Sequence, residues 1–325
     1  MRAKVAGLKI LTLLLVPLLF LFIDKTAAQD SQPLVRVHIT SNSPSSMPFQ
    51  IAEDEGYYAK EGLKVRLMLL KTGAGIQAML GGDIDVSQAT GPTVLAAFIQ
   101  GAPVRVAMVF NDKPTYKLYV KKEIRGFAEL KGAKIGSSTP GSTSDRLLKN
   151  VLERHGVRWQ RETVIIYIGT TEVVLKAMRA GALDAAMVTP PANFLAREAG
   201  FHELFSFENE VGALQGGVST TEAFLSKRTE TATRFLRATL RGLKTFKGDR
   251  ERALKAMMKA MGVARELAER TYDGNLSAFV ANGLIPEESQ DKVLDFELKT
   301  IGSDKKVPRE KFFDFSVMKF LATNG

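Results

Sequence analysis

Serine and threonine side chains cluster where predicted strands give way to predicted helices. The N-terminus of a helix presents unpaired N–H groups and a partial positive charge, so these junctions suit a carboxylate, a sulfonate or similar oxygens. Serine and threonine are also the ordinary N-cap residues. Because a cap is the commoner role for any single hydroxyl, the hypothesis of a ligand site depends on several junctions sharing one cleft. The junctions are 41–46, 72–73, 90–91, 137–144, 170–171 and Thr189.

Residues typical of catalytic and metal sites are sparse. The chain has no cysteine, which excludes thiolate metal ligands, a cysteine nucleophile and disulfides. Its histidines are far apart in sequence and lack the close spacing of metal ligands: they are His38, His155 and His202. Asp85 and Asp184 fall where a predicted helix leads into a predicted strand. This is the opposite end of the strands from the hydroxyl-rich junctions, which indicates a structural role. We therefore predict no enzyme activity, no metal and no cofactor.

The elements that must position the hydroxyls alternate between strand and helix. The alternation runs from about residue 35 to residue 110, restarts after about residue 120, and changes to helix upon helix from Glu230. This order predicts an α/β fold with mostly parallel sheets flanked by helices, and with extra C-terminal helices. In open parallel sheets, ligands bind outside the carboxyl ends of the strands, where the hydroxyl-rich junctions lie.

Two segments of the chain resemble each other. Residues 78–92 align without gaps with residues 177–191, with identical residues at six of fifteen positions. Both segments predict a helix, a Gly stop, a short strand and a Thr leading into a new helix. Two lobes built on one plan would produce this similarity. Chance similarity between two ordinary βα units is the alternative.

The first residues have the pattern of an export signal. Arg2, Lys4 and Lys9 give a positive start, residues 10–23 are almost wholly apolar, and residues 26–28 are small. The apolar run of 14 residues is shorter than the roughly 20 residues of a membrane-spanning helix. We predict a cleaved signal peptide over residues 1–28 and a periplasmic location, with an uncleaved anchor as the alternative. The absence of cysteine excludes lipidation at the cleavage site.

The charge balance argues against nucleic acid as a partner. The formal net charge is +10, of which residues 1–28 contribute +3, so the mature chain has +7 spread over a mixed-sign surface. No basic run is interleaved with aromatic residues, so nucleic-acid binding is not expected. A mild positive potential would help to attract an anionic ligand. We expect a monomer.

Several motifs resemble one family in order along residues 34–250. The chain resembles the periplasmic substrate-binding proteins of ABC transporters, in the branch for sulfonate, nitrate, taurine and thiamine-pyrimidine precursors. The motifs are 51–65 (IAEDEGYYAKEGLKV), 81–88 (GGDIDVSQ), 101–105 (GAPVR), 130–145 (LKGAKIGSSTPGSTSD) and 180–196. The resemblance implies a two-lobed type II periplasmic binding protein, with chain crossings near 111–120 and 213–221.

This resemblance also implies a domain organisation and a site. Residues 33–113 and 219–325 would form lobe 1 and residues 114–218 lobe 2, with hinges at Asn111 and Gly216. The protein would capture a small organic ligand, anionic or a polar heterocycle, and deliver it to a membrane permease and its ATPase. The implied ligand-binding residues coincide with the hydroxyl-rich junctions: Ser43, Ser45, Ser46, Thr72, Gly73, Thr90, Ser142, Thr143 and Thr189.

Two alternatives to import remain open in the sequence. A ligand-sensing module would have the same cleft without a transporter. Enzymes of thiamine-pyrimidine synthesis share the fold but use a cysteine-rich motif, which this chain lacks. Four aromatic residues near the expected cleft could stack on a ligand or belong to the core: Phe49, Phe110, Tyr116 and Phe194.

Overall fold

A computed structural model describes residues 32–210 and 212–324. The predicted signal peptide, residues 1–28, lies outside the described residues. None of the helices in the described part combines the length and the apolar character needed to cross a bilayer.

The strands form two five-stranded sheets. Sheet A has the strand order β2-β1-β3-β10-β4, and sheet B has the order β7-β6-β8-β5-β9. The strands are β1 (Leu34–Ile39), β2 (Lys64–Leu69), β3 (Val86–Ser87), β4 (Val104–Asn111), β5 (Lys117–Val120), β6 (Lys134–Ser137), β7 (Val164–Tyr167), β8 (Ala185–Val188), β9 (His202–Ser206) and β10 (Gly216–Thr221).

Helices flank both sheets, and a helical region follows the last strand. Those preceding β10 are α1 (Met47–Asp54), α2 (Tyr57–Lys60), α3 (Thr72–Gly81), α4 (Pro92–Ile99), α5 (Thr143–Arg154), α6 (Trp159–Glu162), α7 (Thr171–Arg179) and α8 (Ala192–Glu198). Those following it are α9 (Glu222–Lys227), α10 (Thr229–Gly248), α11 (Arg250–Met261), α12 (Arg265–Asp273), α13 (Glu287–Ile301), α14 (Arg309–Phe312) and α15 (Ser316–Asn324). Sheet A with its helices is called lobe A below, and sheet B with its helices lobe B.

The two sheets have the same topology. In each sheet four strands run in one direction, and the fifth, β10 in sheet A and β5 in sheet B, runs antiparallel to both of its neighbours. The prediction of two lobes with mostly parallel sheets, helices on their faces and additional C-terminal helices is therefore confirmed. In both sheets the antiparallel strand is the first one that the chain forms after arriving from the other sheet.

The repeated segment falls on equivalent elements of the two lobes. It covers the end of α3 with β3 in lobe A and the end of α7 with β8 in lobe B. Asp85 accepts a hydrogen bond from the Arg36 backbone N–H at 2.8 Å, and Asp184 accepts one from the Lys134 backbone N–H at 2.9 Å. Each aspartate thus joins a helix-to-strand turn to the neighbouring strand, which supports the structural role predicted for both.

The chain passes between the sheets twice, after β4 and after β9. These passages overlap the predicted crossings near 111–120 and 213–221, although β5 and β10 occupy part of each range. The two predicted hinge residues are neighbours, because Gly216 and Asn111 are partners in the ladder between β10 and β4. The exact lobe boundaries and the hinge roles remain predictions.

Each lobe has its own apolar core. In lobe A the fully buried ring of Phe49 packs edge-on against Phe110, at 5.1 Å between centroids, and against Phe235 of α10. In lobe B, Leu118 of β5 packs with Leu148 of α5 and Met187 of β8. The C-terminal helices therefore complete lobe A, while lobe B is built from the middle of the chain.

Candidate functional site

A cavity of about 350 Å³ lies between the two lobes, at the carboxyl ends of the strands. Lobe A contributes the loops after β1, β2 and β3, and lobe B contributes the loops after β6, β7 and β8. The segments that pass between the lobes add Tyr116 and Gln215. The hydroxyl-rich junctions of both lobes therefore face one common space.

Seven of the nine predicted site residues line this cavity: Ser43, Ser45, Thr72, Thr90, Ser142, Thr143 and Thr189. Ser46 and Gly73 are not among the lining residues. The buried Ser46 hydroxyl donates to the Ser43 carbonyl at 2.9 Å, so it is used in capping the 3-10 turn Pro44–Ser46. Gly73 is an exposed residue in the first turn of α3 and has no side chain to direct into the cavity.

Four helices of at least eight residues begin at the cavity. They are α3 and α4 in lobe A and α5 and α7 in lobe B, and the residue preceding each one lines the cavity. Their free N–H groups and dipoles place partial positive charge on both sides of the space. Among the described residues that line it, Lys71 is the only one with a full charge. The described lining is therefore suited to an anion or to a polar neutral group, and it includes no carboxylate to pair with a cation.

Apolar side chains complete the lining near the surface. Leu69 is 52% exposed and Val173 is 45% exposed, although both belong to the lining, so they lie at the rim. Leu70 and Ile168 extend the apolar part from lobe A and lobe B respectively. The cavity therefore offers polar donors together with an apolar rim.

Thr90 differs from the other hydroxyls of the site. Its side chain is 1% exposed, and Oγ1 has no hydrogen-bond partner among the described residues. The equivalent Thr189 has a partner, since its Oγ1 lies 3.3 Å from the Thr171 hydroxyl. A buried hydroxyl without a partner costs free energy unless a ligand satisfies it. The observation favours Thr90 as a ligand contact over a purely structural residue.

Replacing Thr90 with valine is expected to separate ligand binding from stability. Ligand affinity should fall about tenfold, the equivalent of one hydrogen bond. The free energy of unfolding should stay the same or rise by up to about 1 kcal/mol, because an unpaired buried hydroxyl is removed. Isothermal titration calorimetry and urea unfolding measure the two quantities.

Thr239→Val is the matched control for this experiment. The buried Thr239 hydroxyl in α10 is bonded to the Tyr58 hydroxyl at 3.0 Å and to the Phe235 carbonyl at 2.8 Å, away from the cavity. This variant should lose stability and keep its affinity. Unchanged affinity in Thr90→Val would mean that Thr90 does not contact the ligand.

Asp145 organises the loop that leads into α5. Its fully buried carboxylate accepts from the Gly141 N–H at 2.7 Å, from Lys149 Nζ at 2.9 Å and from the Tyr167 hydroxyl at 2.7 Å. Ser142 caps the helix by accepting from the Asp145 N–H at 3.4 Å. Burial and the Asp145 charge raise the pKa of Tyr167, so this hydroxyl stays protonated and donates. These bonds fix the loop that presents several cavity hydroxyls.

Changing Asp145 to asparagine should loosen this loop. The variant loses the charge-assisted bonds and retains a neutral acceptor, so we expect a decrease of about 2 kcal/mol in the free energy of unfolding. Ligand affinity should fall about threefold as the loop loses order. Glu153→Gln, an exposed position on the same helix, is the control and should change neither quantity. Calorimetry on both variants tests the prediction, and an Asp145→Asn protein with wild-type affinity would contradict it.

Two glutamines of the site were not predicted. Gln88 Oε1 accepts from the Thr40 N–H at 3.0 Å, and Gln215 Oε1 accepts from the Thr115 N–H at 2.6 Å. With each amide oxygen held by the main chain, the NH2 group is the part left to donate. Their position directly after β3 and directly before β10 was the available signal, but the predicted site contained only Ser, Thr and Gly residues.

The four aromatic candidates have different environments. Phe49 and Phe110 are fully buried in the core of lobe A. Phe194 packs under the Arg270 guanidinium, at 4.8 Å from the ring centroid. Tyr116 lines the cavity, and burial raises its pKa to about 12. Only Tyr116 is therefore placed to stack on a ligand.

His38 and His155 occupy structural positions. His38 is buried in sheet A, with Nδ1 at 2.8 Å from the Ser87 hydroxyl and Nε2 at 3.1 Å from the Leu70 carbonyl. His155 stacks on Phe127 at 3.8 Å between ring centroids. The described residues contain no group of three or more His, Cys, Asp or Glu side chains able to hold a metal ion.

Comparison with known proteins agrees with this geometry. A family model described as "NMT1/THI5 like" matches residues 43–253. A search of curated proteins finds no match. A solved structure from Bordetella bronchiseptica RB50 is 21% identical to this chain, with a TM-score of 0.78. The alignment covers 90% of this chain and 97% of the Bordetella chain.

Two further solved structures show the range of proteins with this fold. The periplasmic aliphatic sulphonate binding protein SsuA from Escherichia coli is 17% identical to this chain, with a TM-score of 0.69. The alignment covers 87% of this chain and 92% of SsuA. The desulfurization enzyme DSZB is 13% identical to this chain, with a TM-score of 0.68. The alignment covers 90% of this chain and 99% of DSZB. At these identities the likenesses show the fold, that of the periplasmic binding proteins. The chain belongs to the NMT1/THI5-like family.

Proposed function

We propose that this chain is an exported solute receptor. It captures a small organic anion in the cavity between its lobes and delivers it from the periplasm to an ABC importer. The observation that carries the proposal is the convergence of four helix N-termini, two from each lobe, on a cavity whose lining, in the part of the chain that the structure describes, includes no carboxylate. Such an arrangement binds an anion through neutral donors and helix dipoles.

Ligand capture would follow from the placement of the site. Contacts from both lobes are available together only when the cleft is closed, so a ligand that reaches both lobes favours the closed form. Asn111 and Gly216, at the two passages between lobes, are the proposed hinge residues. The closed form would then be the one that a permease recognises.

The apolar rim refines the expected ligand. Leu69 and Val173 lie on opposite lobes at the opening of the cavity. An anionic head bound at the helix N-termini would leave an organic group beside them. The proteins with this fold include an aliphatic sulphonate binding protein, which makes sulfonates the first compounds to test.

Thermal unfolding with a panel of ligands tests the proposal. The panel contains alkanesulfonates, alkanecarboxylates, amino acids and pyrimidines, and the mature chain is heated with each compound. A ligand at one hundred times its Kd stabilises the folded state by about 2.7 kcal/mol, which raises Tm by several degrees. Mass spectrometry of the natively purified protein identifies any ligand that stays bound. The absence of a Tm shift with every compound would contradict the proposal.

An enzyme on the same fold is the second candidate, because DSZB shares this architecture. The panel distinguishes the two: an enzyme would convert a bound compound, and a receptor would release it unchanged. A sensing module would bind in the same way and would lack neighbouring permease and ATPase genes. Genome context and chromatography of the recovered ligand decide among these three.

A further inference from the structure

Glu297 is a buried acid at the place where the lobes meet. It lies in α13, is 2% exposed, and neither carboxyl oxygen has a hydrogen-bond partner among the described residues. Helix α13 packs against α4 of lobe A and against α5 of lobe B. The role of this side chain is not explained by the cavity, whose lining does not include it.

The contacts around Glu297 join the two lobes. The Thr93 hydroxyl of lobe A donates to the Gly141 carbonyl of lobe B at 3.2 Å. On the other side, Arg146 Nη1 of α5 donates to the Thr300 carbonyl of α13 at 3.1 Å. A Cβ atom placed on Gly91 would lie 3.3 Å from Glu297 Oε1, so this carboxyl is close to the N-terminus of α4. The carboxyl therefore lies beside the close approach of Gly91 in lobe A and Thr143 in lobe B.

Few charges face the carboxyl. Helix α4 contains no titratable side chain, and the segment 213–215 contains none either. On α5 the facing charge is Arg146, whose Nε is also buried without a partner, and the two side chains form no ion pair within the described residues. The nearby Asp145 is engaged by Lys149 and Tyr167.

Several other charges on α13 and on the helix that follows it pair with one another near the start of α13. Arg309 of α14 pairs with Glu287 and Asp291 at the start of α13, and Lys292 pairs with Glu288. Arg146 is therefore the one cation, among the described residues, that acts on the Glu297 carboxyl.

Burial is the dominant influence on the ionisation of Glu297. It raises the pKa of this carboxyl well above the ordinary value, and Arg146 offsets only part of the effect. Transferring an ionised carboxylate from water to a site without hydrogen-bond partners costs more free energy than protonating it.

We propose that Glu297 couples closure of the cleft to the uptake of one proton. When the lobes separate, the contacts of α5 with α13 and of Thr143 with Gly91 part, water reaches the carboxyl, and it ionises. When they close, the carboxyl takes a proton from solvent. This inference rests on the proposed function, because it requires a cleft that opens and closes.

The sign of the pH dependence follows from the two environments. In the open form the pKa of Glu297 returns toward the ordinary value of a glutamate, and in the closed form it is raised. Below the open-form value the carboxyl is neutral in both forms, and closure has no proton cost. As the pH rises from that value toward the closed-form pKa, the closed-to-open ratio falls by up to about tenfold per pH unit.

The distance between two spin labels tests the inference without a ligand. Because the chain has no cysteine, labels can be placed uniquely at Gln77→Cys on α3 and Lys176→Cys on α7, exposed positions on opposite lobes. Double electron–electron resonance gives the distribution of distances between the labels, measured at several pH values from 5 to 8. The labelled wild-type protein should shift to longer distances as the pH rises, and the Glu297→Gln protein should keep its pH 5 distribution throughout.

A matched control and a second measurement complete the experiment. Glu288→Gln changes an exposed acid on the same helix and should leave the wild-type shift unaltered. In the unsubstituted protein, a 13C NMR titration of labelled glutamate should show two carboxyls with a raised pKa, Glu53 and, with the larger rise, Glu297. The inference therefore stays testable if Glu297→Gln does not fold.

Two results would overturn the inference: a pH-independent distance distribution in the wild-type protein, or an equal shift in Glu297→Gln. Both are independent of the ligand panel. A protein that binds none of the compounds but closes on acidification would disprove the choice of ligand and support the role of Glu297.

Discussion

A Gly91→Ala protein is expected to fold normally and to bind its ligand between about fivefold and a hundredfold more weakly. The added Cβ would lie 2.8 Å from Thr143 Oγ1, 3.2 Å from the Leu214 carbonyl oxygen and 3.3 Å from Glu297 Oε1. Threonine is β-branched and stiff, and a carbonyl oxygen is part of the backbone, so neither can yield easily. Relief requires the N-termini of α4 and α5 to move apart, which opens the cleft. Such overpacking costs about 1–3 kcal/mol, which gives the stated loss of affinity.

Gly73→Ala is the control for this experiment. Gly73 lies in the first turn of α3, no atom approaches its Cβ position within 4 Å, and its φ is not in the left-handed region. This variant should keep wild-type affinity and gain a few tenths of a kcal/mol of stability. Calorimetry with the ligand selected by the panel measures both proteins. Equal ligand affinities of the two variants would show that ligand binding does not require the close approach of the lobes at Gly91.

Much of the fold could be predicted because its parallel strands and amphipathic helices have strong patterns. The residue pattern predicts a strand over 164–167 and helices over 171–180 and 286–301, and the structure has these elements to within a residue or so. The pattern also predicts one helix over 264–281, but the helix ends at Asp273, because Gly274 and Asn275 stop it and Phe279 then pairs with Asn111 of β4. It predicts one helix over 308–322, where the structure has two, separated by the buried Phe313 and Phe315.

Strands β5, β9 and β10 were not predicted. Their sequences, KLYV, HELFS and GGVSTT, are short or rich in polar and small residues, and local pattern does not distinguish them from loops. Their pairing partners lie far away in sequence: β10 pairs with β3 and β4, and β5 pairs with β8 and β9. Tertiary pairing, rather than intrinsic propensity, makes them strands.

The candidate site followed from topology more than from residue type. A hydroxyl that follows the carboxyl end of a parallel strand is brought to the cleft, which is why Ser43, Thr72 and Thr90 of lobe A and Thr189 of lobe B line one cavity. Ser46 does not line the cavity, because its side chain points toward the Ser43 carbonyl. Gln215 and Glu297 depend on how the lobes and the C-terminal helices come together, which no local pattern contains.

The two repeated aspartates should differ strongly in their contribution to stability, although they occupy the same position of the repeat. Asp85 is nearly buried, and besides the Arg36 N–H it binds Arg36 Nε at 3.0 Å and Arg228 Nη1 at 2.6 Å. Asp184 is 31% exposed and pairs with Lys121 at 2.6 Å. Burial alone would raise the pKa of Asp184, but Lys121 and the Lys134 N–H together lower it. Its stabilising effect is therefore present at neutral pH and is lost as the pH falls through that lowered pKa.

Asp85→Ala should decrease the free energy of unfolding by about 3 kcal/mol, because it leaves a strand N–H and two guanidinium groups without their shared acceptor in a mostly buried site. Asp184→Ala should cost about 1 kcal/mol, since water reaches Lys121 and screens the pair. Urea unfolding at pH 7 compares the two variants, and for Asp184→Ala the difference from wild type should vanish in strong acid. Equal losses would mean that the bond to a strand N–H, which both aspartates make, determines their contribution to stability. Arg36 and Arg228 of lobe A would then add nothing. The expected inequality would assign the larger contribution of Asp85 to its bonds with Arg36 and with Arg228, which the chain between β10 and α10 brings to the repeat of lobe A.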